Sequence, residues 1–436
     1  MTATSTDNQS VDPDFFDDLL ARGLVHDTTD VAALRERLAA GPVTVYVGFD
    51  PTADSLHVGN LVGLLTLHRF QEAGHRPISL AGGATGMVGD PSGKSDERNL
   101  LDDEALAANL AGIVPQLRQF LDFERPGNPA KLLDNRAWTV GKPYLVFLRD
   151  VGKHVTVNAM IAKESVKNRM EGEQGISYTE FSYMLLQAHD FFWLYENEGC
   201  EMQLGGSDQW GNITLGIDLI RRKSQKSAMG LTWPLLTRAD GSKYGKTAGG
   251  ETLWLGADRL SPYRFYQSWI QVEDAELPKL LKMLTFLSLA EIDELVVAHN
   301  AEPHLRRGQR TLASELTTIV HGVEAATAAE EASAAMFGGA VSGLGLATLH
   351  MLANEVPHHQ TSRAVLDDET NLVPLLVEAG AAASKSEALR LLNQNGVSIN
   401  DTKADGATAV THSDLLHGHF AILRRGKKQV FLISFE

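Results

Sequence analysis

An apolar run at residues 43–47 leads straight into Phe49-Asp50-Pro51-Thr52, and a second at 78–81 leads into Gly82-Gly83-Ala84-Thr85-Gly86 and then Gly89-Asp90-Pro91. Each run is short enough for a buried strand and ends in a turn of small and polar residues. The first then feeds the apolar-periodic positions Leu61, Leu64, Leu65 and Leu67 of a helix. Strand, glycine-rich turn and helix in alternation restrict the chain to an α/β fold with a parallel, Rossmann-like sheet, whose ligands meet the carboxyl ends of the strands. Between the first strand and its helix stands His57-Val58-Gly59-Asn60. An imidazole at a helix N-terminus is where such a fold would hold an anionic phosphate. The glycines alone carry less, because they also serve ordinary tight turns.

Far downstream, Lys243-Tyr244-Gly245-Lys246-Thr247 places two ammonium groups on a loop flanked by Gly241 and by Gly249-Gly250. The two segments suggest a site that clamps a nucleoside triphosphate from opposite sides. Taken alone, the histidine is better read as a helix cap or a packed side chain, and the lysines as a solvated turn. Their order, and their setting between an α/β region and a helical one, argue against chance. A further constellation lies in residues 178–190, where Tyr183, Gln187 and Asp190 stand at i, i+4 and i+7 and share one helix face. A phenol, an amide and a carboxylate together can bind both ends of a zwitterionic amino acid that also carries a hydroxyl. The competing reading is an amphipathic helix with its polar stripe in water.

At 436 residues the chain is too long for one ordinary core, so two or three domains are expected. The expected division is a catalytic nucleotide-binding domain over 1–250, a helical domain over 251–340, a linker over 341–370 and a small α+β domain over 371–436. Glycines at 338, 339, 343 and 345 with Pro357 make residues 337–361 read as a loop or linker. In the last domain, helices are expected at 372–379 and 386–393 and strands near Ala421 and Val430. With 39 Lys+Arg against 55 Asp+Glu the formal charge is −16, so the surface as a whole should repel nucleic acid and acidic membranes. Any RNA partner must be met by local basic patches. A single cysteine, Cys200, excludes an intramolecular disulfide and a multi-cysteine zinc site, so no structural metal is expected. Residues 1–14 lack the features of a secretory signal, and no apolar run approaches a membrane span; the expectation is a cytoplasmic protein without membrane contact.

His57-Val58-Gly59-Asn60 resembles the HIGH signature, and Lys243 to Thr247 the KMSKS signature, of class I aminoacyl-tRNA synthetases. Residues 46–56 resemble the bacterial tyrosyl-tRNA synthetases in particular. Asn60 replaces the second histidine, Tyr244-Gly245 the usual Met-Ser pair and Thr247 the final serine. The resemblance implies a ligase that makes tyrosyl-adenylate from L-tyrosine and ATP with Mg2+, then charges tRNA(Tyr), and that works as a homodimer. It implies that Thr52, His57, Lys243 and Lys246 stabilise the transition state, that Tyr46 and Asp190 meet the substrate phenol, and that Tyr183, Gln187 and Asp90 hold its ammonium end. Gly48, Asp50, Gly59, Asn60, Gly206 and Asp208 would face the ATP portion, with Gln209 near the tyrosyl moiety. Gly206, Asp208 and Gln209 belong to Gly205-Gly206-Ser207-Asp208-Gln209-Trp210-Gly211-Asn212, which on spacing alone is only a glycine-flanked turn. The helical domain would bind the anticodon. The C-terminal domain resembles the small RNA-binding domain shared with a ribosomal small-subunit protein, with Arg390, Arg424, Arg425, Lys427 and Lys428 supplying positive charge.

Two other readings compete. A related nucleotidyltransferase could share His57 to Asn60 but would not need the Tyr183, Gln187, Asp190 face. A catalytically idle RNA-binding protein could keep the tail but would have little reason to retain Lys246 beside His57.

Overall fold

The computed structural model describes residues 11–92, 101–171, 175–238, 241, 244–245, 250–426 and 429–436, apart from the side chain of Asn168. Lys243, Lys246, Thr247, Lys427 and Lys428 lie outside the described residues. The chain forms two compact units, one of Met1–Arg259 with Glu273–Ala298, the other of Leu260–Val272 with His299–Glu436.

In the first unit, five strands lie in the order β3-β2-β1-β4-β5: β1 (Thr44–Phe49), β2 (Arg76–Ala81), β3 (Lys131–Asp134), β4 (Cys200–Gly206) and β5 (Met229–Trp233). All four pairings are parallel, as the alternation of strand, turn and helix requires. The β1 sequence TVYVGF is apolar almost throughout because helices cover a parallel sheet on both faces, and only Gly48 of the strand is exposed. Helix Val58–Glu72 follows β1, Tyr178–Glu198 precedes β4 and Trp210–Ser224 joins β4 to β5. Helices Phe15–Ala21 and Val31–Ala40 precede β1. Helix Leu277–Leu284 also belongs to this unit.

The second unit holds helices Pro262–Ile270, Arg307–His321, Val323–Met336 and Leu346–Glu355, and a second sheet of order β6-β10-β9-β7-β8. Its strands are β6 (His358–Thr361), β7 (Val397–Ile399), β8 (Thr402–Lys403), β9 (Phe420–Arg425) and β10 (Gln429–Phe435). Successive residues of a strand face opposite ways. Leu423, Phe431 and Ile433 therefore pack with Leu375, Leu376 and Leu392 of helices Leu372–Glu378 and Lys385–Asn393, while Ile422 and Leu432 pack with Ala332, Ala335, Leu349 and Leu352. Strands β9 and β10 thus form a middle layer buried on both faces.

Two expectations change here. Residues 337–361, which read as a loop or linker, contain helix Leu346–Glu355 and β6, and β6 adds to the edge of the second sheet beside β10. The glycines that suggested a loop bracket helices instead: Gly338 takes φ 95° just beyond helix Val323–Met336, a left-handed setting that favours glycine at a helix end. Arg424, expected to offer its charge to RNA, is buried. Its Nη2 donates to Ala335 O at 2.8 Å and Gly339 O at 2.6 Å, satisfying carbonyls at the end of that same helix. Arg425 donates to Ala381 O and to Glu387 Oε1, both at 3.0 Å. Arg390 remains largely exposed beside Glu387.

Candidate active site

The chain passes from β1 outward through β2 to β3, and β4 starts the other half of the sheet on the opposite side of β1. Connections leaving neighbouring strands in opposite directions open a crevice at the strands' carboxyl ends. A cavity of about 380 Å³ lies there, lined from β1 by Tyr46 and Gly48 and from the turn beyond it by Asp50 and Thr52. A Cβ built on Gly48 meets nothing within 4 Å, so the absence of a side chain keeps this part of the floor open.

His57 and Asn60 cap helix Val58–Glu72 reciprocally. His57 Nδ1 accepts from Gly59 N at 3.0 Å, and Asn60 Oδ1 accepts from His57 N at 3.1 Å. An accepting Nδ1 carries no proton, which places the neutral ring's N–H on Nε2. His57, Gly59 and Asn60 all line the cavity. Gly59 is required sterically, since a Cβ there would meet His57 Cε1 at 2.8 Å. The cap reading and the site reading of this histidine are therefore compatible.

The far end of the cavity is polar and buried. Asp190 is 2% exposed, with Oδ1 accepting from Trp138 Nε1 at 2.7 Å and Oδ2 from Asn135 Nδ2 at 2.9 Å. Burial pushes its carboxyl up to about 7, against the pull of those two donors, with the charges of Asp50 and Asp134 adding to the rise. Tyr46, 1% exposed, lines the cavity too, and its hydroxyl has no hydrogen-bond partner among the described residues. Burial first, then the Asp190 charge, raises the Tyr46 phenol well above its ordinary value, so it remains a donor. An unpartnered buried hydroxyl is costly, and such groups normally find a partner. Here one can come only from the cavity or from water.

Beside this end runs a chain of polar contacts. Tyr183 Oη donates to Asp50 Oδ2 at 2.8 Å, and Asp50 Oδ1 accepts from Thr85 Oγ1 at 2.7 Å. Gln209 Nε2 donates to Asp90 Oδ2 at 2.7 Å, while Gln209 Oε1 accepts from Gln187 Nε2 at 3.2 Å. Asn212 Nδ2 bonds Gln187 Oε1 at 2.9 Å. The helix face of Tyr183, Gln187 and Asp190 thus turns into the cavity rather than toward water, and Asp90, Gly206, Asp208 and Gln209 complete the lining. Thr85 and Asn212 lie in the two glycine-containing runs noted in the sequence but were given no role there, and Asn135 and Trp138 carried no sequence signal, because their partners lie far along the chain; Trp138 is further held by stacking on Trp193 at 4.0 Å between centroids.

Among the described lining residues there are four aspartates and no lysine or arginine. This suits an ammonium group at one end, and among the described residues helix N–H groups and His57 are the groups that could meet an anion. Beyond β5 the cavity is walled by Trp233, Leu235, Leu236 and Tyr244.

Comparison with known proteins shows the family. The family described as tRNA synthetases class I (W and Y) matches residues 38–338, and the tyrosine–tRNA ligase SYY-like C-terminal domain matches residues 349–433. A tyrosine–tRNA ligase of Opitutus terrae is 54% identical over 96% of this chain and 99% of that protein, and one of Roseiflexus castenholzii is 50% identical over 96% and 98%. In three dimensions, a C-terminally truncated mitochondrial tyrosyl-tRNA synthetase of Aspergillus nidulans superposes with TM-score 0.68 at 32% identity, covering 74% of this chain and 94% of that one. By both its catalytic sheet and its C-terminal domain, this chain belongs to the class I tRNA synthetases of the tryptophan and tyrosine group, within the tyrosine branch.

Proposed function

We infer that the chain is a tyrosine–tRNA ligase, which joins L-tyrosine to ATP as tyrosyl-adenylate and transfers the tyrosyl group to tRNA(Tyr). The observation that carries the choice of amino acid is the unpartnered Tyr46 hydroxyl sharing a buried cavity end with Asp190. A substrate phenol placed there accepts from Tyr46 and donates to Asp190; phenylalanine would leave the Tyr46 hydroxyl unpartnered and offer Asp190 nothing. Asp90, Tyr183 and Gln187 then hold the ammonium group. A tyrosine carboxylate oxygen attacks the α-phosphorus of ATP, the bond to pyrophosphate breaks, and negative charge builds on the departing phosphates. Thr52, the Nε2–H of His57, Lys243 and Lys246 stabilise that charge, with no covalent enzyme intermediate. Gly48, Asp50, Gly59, Asn60, Gly206 and Asp208 face the ATP portion, and Gln209 lies toward the tyrosyl group. Mg2+ enters on the phosphates as part of the substrate. A terminal ribose hydroxyl of tRNA next attacks the tyrosyl carbonyl and releases AMP.

The same reading assigns helices within 251–340 to the anticodon and 371–436 to RNA binding, and places the enzyme in the cytoplasm with its substrates. It includes a homodimer, supported by large apolar side chains exposed on one stretch of the first unit, Val140, Tyr144, Leu145, Val157 and Ile161. Among the described residues no helix is long and apolar enough to cross a membrane. ATP–pyrophosphate exchange measured across the amino acids tests the activity: exchange dependent on tyrosine is expected, and equal exchange with phenylalanine would sink the assignment. Sedimentation of wild type and Leu145→Asp tests the dimer.

A further inference from the structure

Tyr244 stands where the class signature has methionine, and its surroundings give it more to do than fill space. It is 6% exposed and walls the cavity beyond β5, at the opposite edge of the sheet from Asn135 beyond β3. Its N–H donates to Leu236 O at 2.7 Å, the neighbouring Gly245 O accepts from Leu253 N at 2.9 Å, and the Arg238 guanidinium lies 4.6 Å from its ring centroid. Its hydroxyl donates to Glu276 Oε2 at 3.2 Å.

Glu276 is itself buried and immediately precedes helix Leu277–Leu284. The other end of that helix is gripped by arginines. Arg22 donates to Lys282 O at 3.4 Å and to Leu287 O at 3.0 Å, and Arg69 donates to Thr285 O. Arg69 lies in the last turn of the helix that His57 begins. One short helix is therefore bonded at its start to the Tyr244 wall and at its end to the His57 helix, and both of these line the cavity.

We propose that Tyr244 is a positioning residue for the ATP end of the cavity: its bond to Glu276 fixes the wall beyond β5 in register with the His57 helix, and so governs ATP use rather than tyrosine binding. This rests on the ligase reading. Phenylalanine would occupy the same space and keep the ring contact with Arg238, but the ring would lose its tether, and Glu276 would lose a donor where burial makes that loss costly.

The test uses the full chain as wild type, Tyr244→Phe, Glu276→Leu and the double variant, each assayed for ATP–pyrophosphate exchange and for equilibrium binding of tyrosine. Each single variant is expected to lose about tenfold in kcat/KM for ATP, the size of effect that follows from losing one hydrogen bond to a buried charged group, while tyrosine affinity stays within about twofold. The double variant should lose no more than the worse single one, because both remove the same bond. Wild-type ATP parameters in Tyr244→Phe, additive losses in the double variant, or a parallel fall in tyrosine affinity would each overturn the proposal. Glu276 has other contacts, so if Glu276→Leu does not fold, Tyr244→Phe alone decides. Wild-type exchange in the same assay keeps the two claims apart: its failure with tyrosine refutes the ligase reading, not the tether.

Discussion

At Asp190, recognition and stability pull in opposite directions. The carboxyl is raised to about 7 by burial, so between its ordinary value near 4 and pH 7 the folded protein binds a proton that the unfolded chain has released. Stability contributed by this group is therefore greatest at low pH and is lost as pH rises toward 7, above which a buried negative charge is retained at a cost. Asp190→Asn should raise the thermal midpoint relative to wild type at pH 8, and the gain should shrink by pH 5; a gain equal at both pH values would show that ionisation is not the cause. The same variant and Tyr46→Phe should each reduce the preference for tyrosine over phenylalanine by roughly tenfold, about the worth of one buried hydrogen bond. Competition exchange assays read this directly, and unchanged discrimination in both would remove these residues from phenol recognition. Asp190, Gln187 and Tyr183 were legible because one helical period binds them together in sequence. Asn135 and Trp138 were not: they reach Asp190 across 55 and 52 residues, from a short segment beyond the four-residue strand β3.

Elements with a clear period or a strong punctuation mark could be read from sequence, and those without could not. The helix face of 178–190 continues to Glu198, and β1 and β2 form within two residues of the apolar runs that suggested them. β4 was hidden because its last residues, Gly205-Gly206, read as a turn, whereas a parallel strand ending in glycine allows close approach to the cavity. Residues 337–361 misled for a related reason, since glycines that end helices look like glycines that make loops. His57 marks the helix start in two capacities, and a substitution can separate them. Asparagine is a good N-cap, so His57→Asn should keep stability within about 0.5 kcal/mol, whereas His57→Ala should cost about 1 kcal/mol. Both should slow adenylate formation in single-turnover measurements, because neither supplies the Nε2–H. Full activity in His57→Asn would reduce the histidine to a cap.

Over the whole molecule, a charge of −16 gave no hint that part of the C-terminal basic cluster is structural, because composition does not reveal that Arg424 is buried against helix-end carbonyls. Nor did it show that β9 and β10 serve two cores at once. A chain ended near Ser362 would keep every described residue of the cavity but strip Ile422 and Leu432 from Ala335, Leu349 and Leu352. It should still exchange pyrophosphate while binding a hydrophobic dye that the intact protein excludes; dye binding equal to that of the intact chain would show that the remaining helices close over the gap. Acid should act on both units. Burial holds His75 and His189 in the first unit and His321 in the second down to about 4, with Arg37 opposing the charge on His75 and Lys142 and Lys223 opposing it on His189. Unfolded, these imidazoles titrate near 6.5. Between those values the unfolded chain binds protons that the folded chain refuses, so the stability they contribute is present above 6.5 and is lost as pH falls toward 4. Each fully mismatched histidine changes stability by about 1.4 kcal/mol per pH unit, and three together outweigh the opposite trend of the single Asp190. Denaturant midpoints should therefore fall between pH 6.5 and 4.5, and His75→Gln with His321→Gln should flatten that fall if the variants remain folded at pH 7. A wild-type midpoint constant across the window would mean that these rings accept protons in place, and that their burial is relieved before the fold gives way.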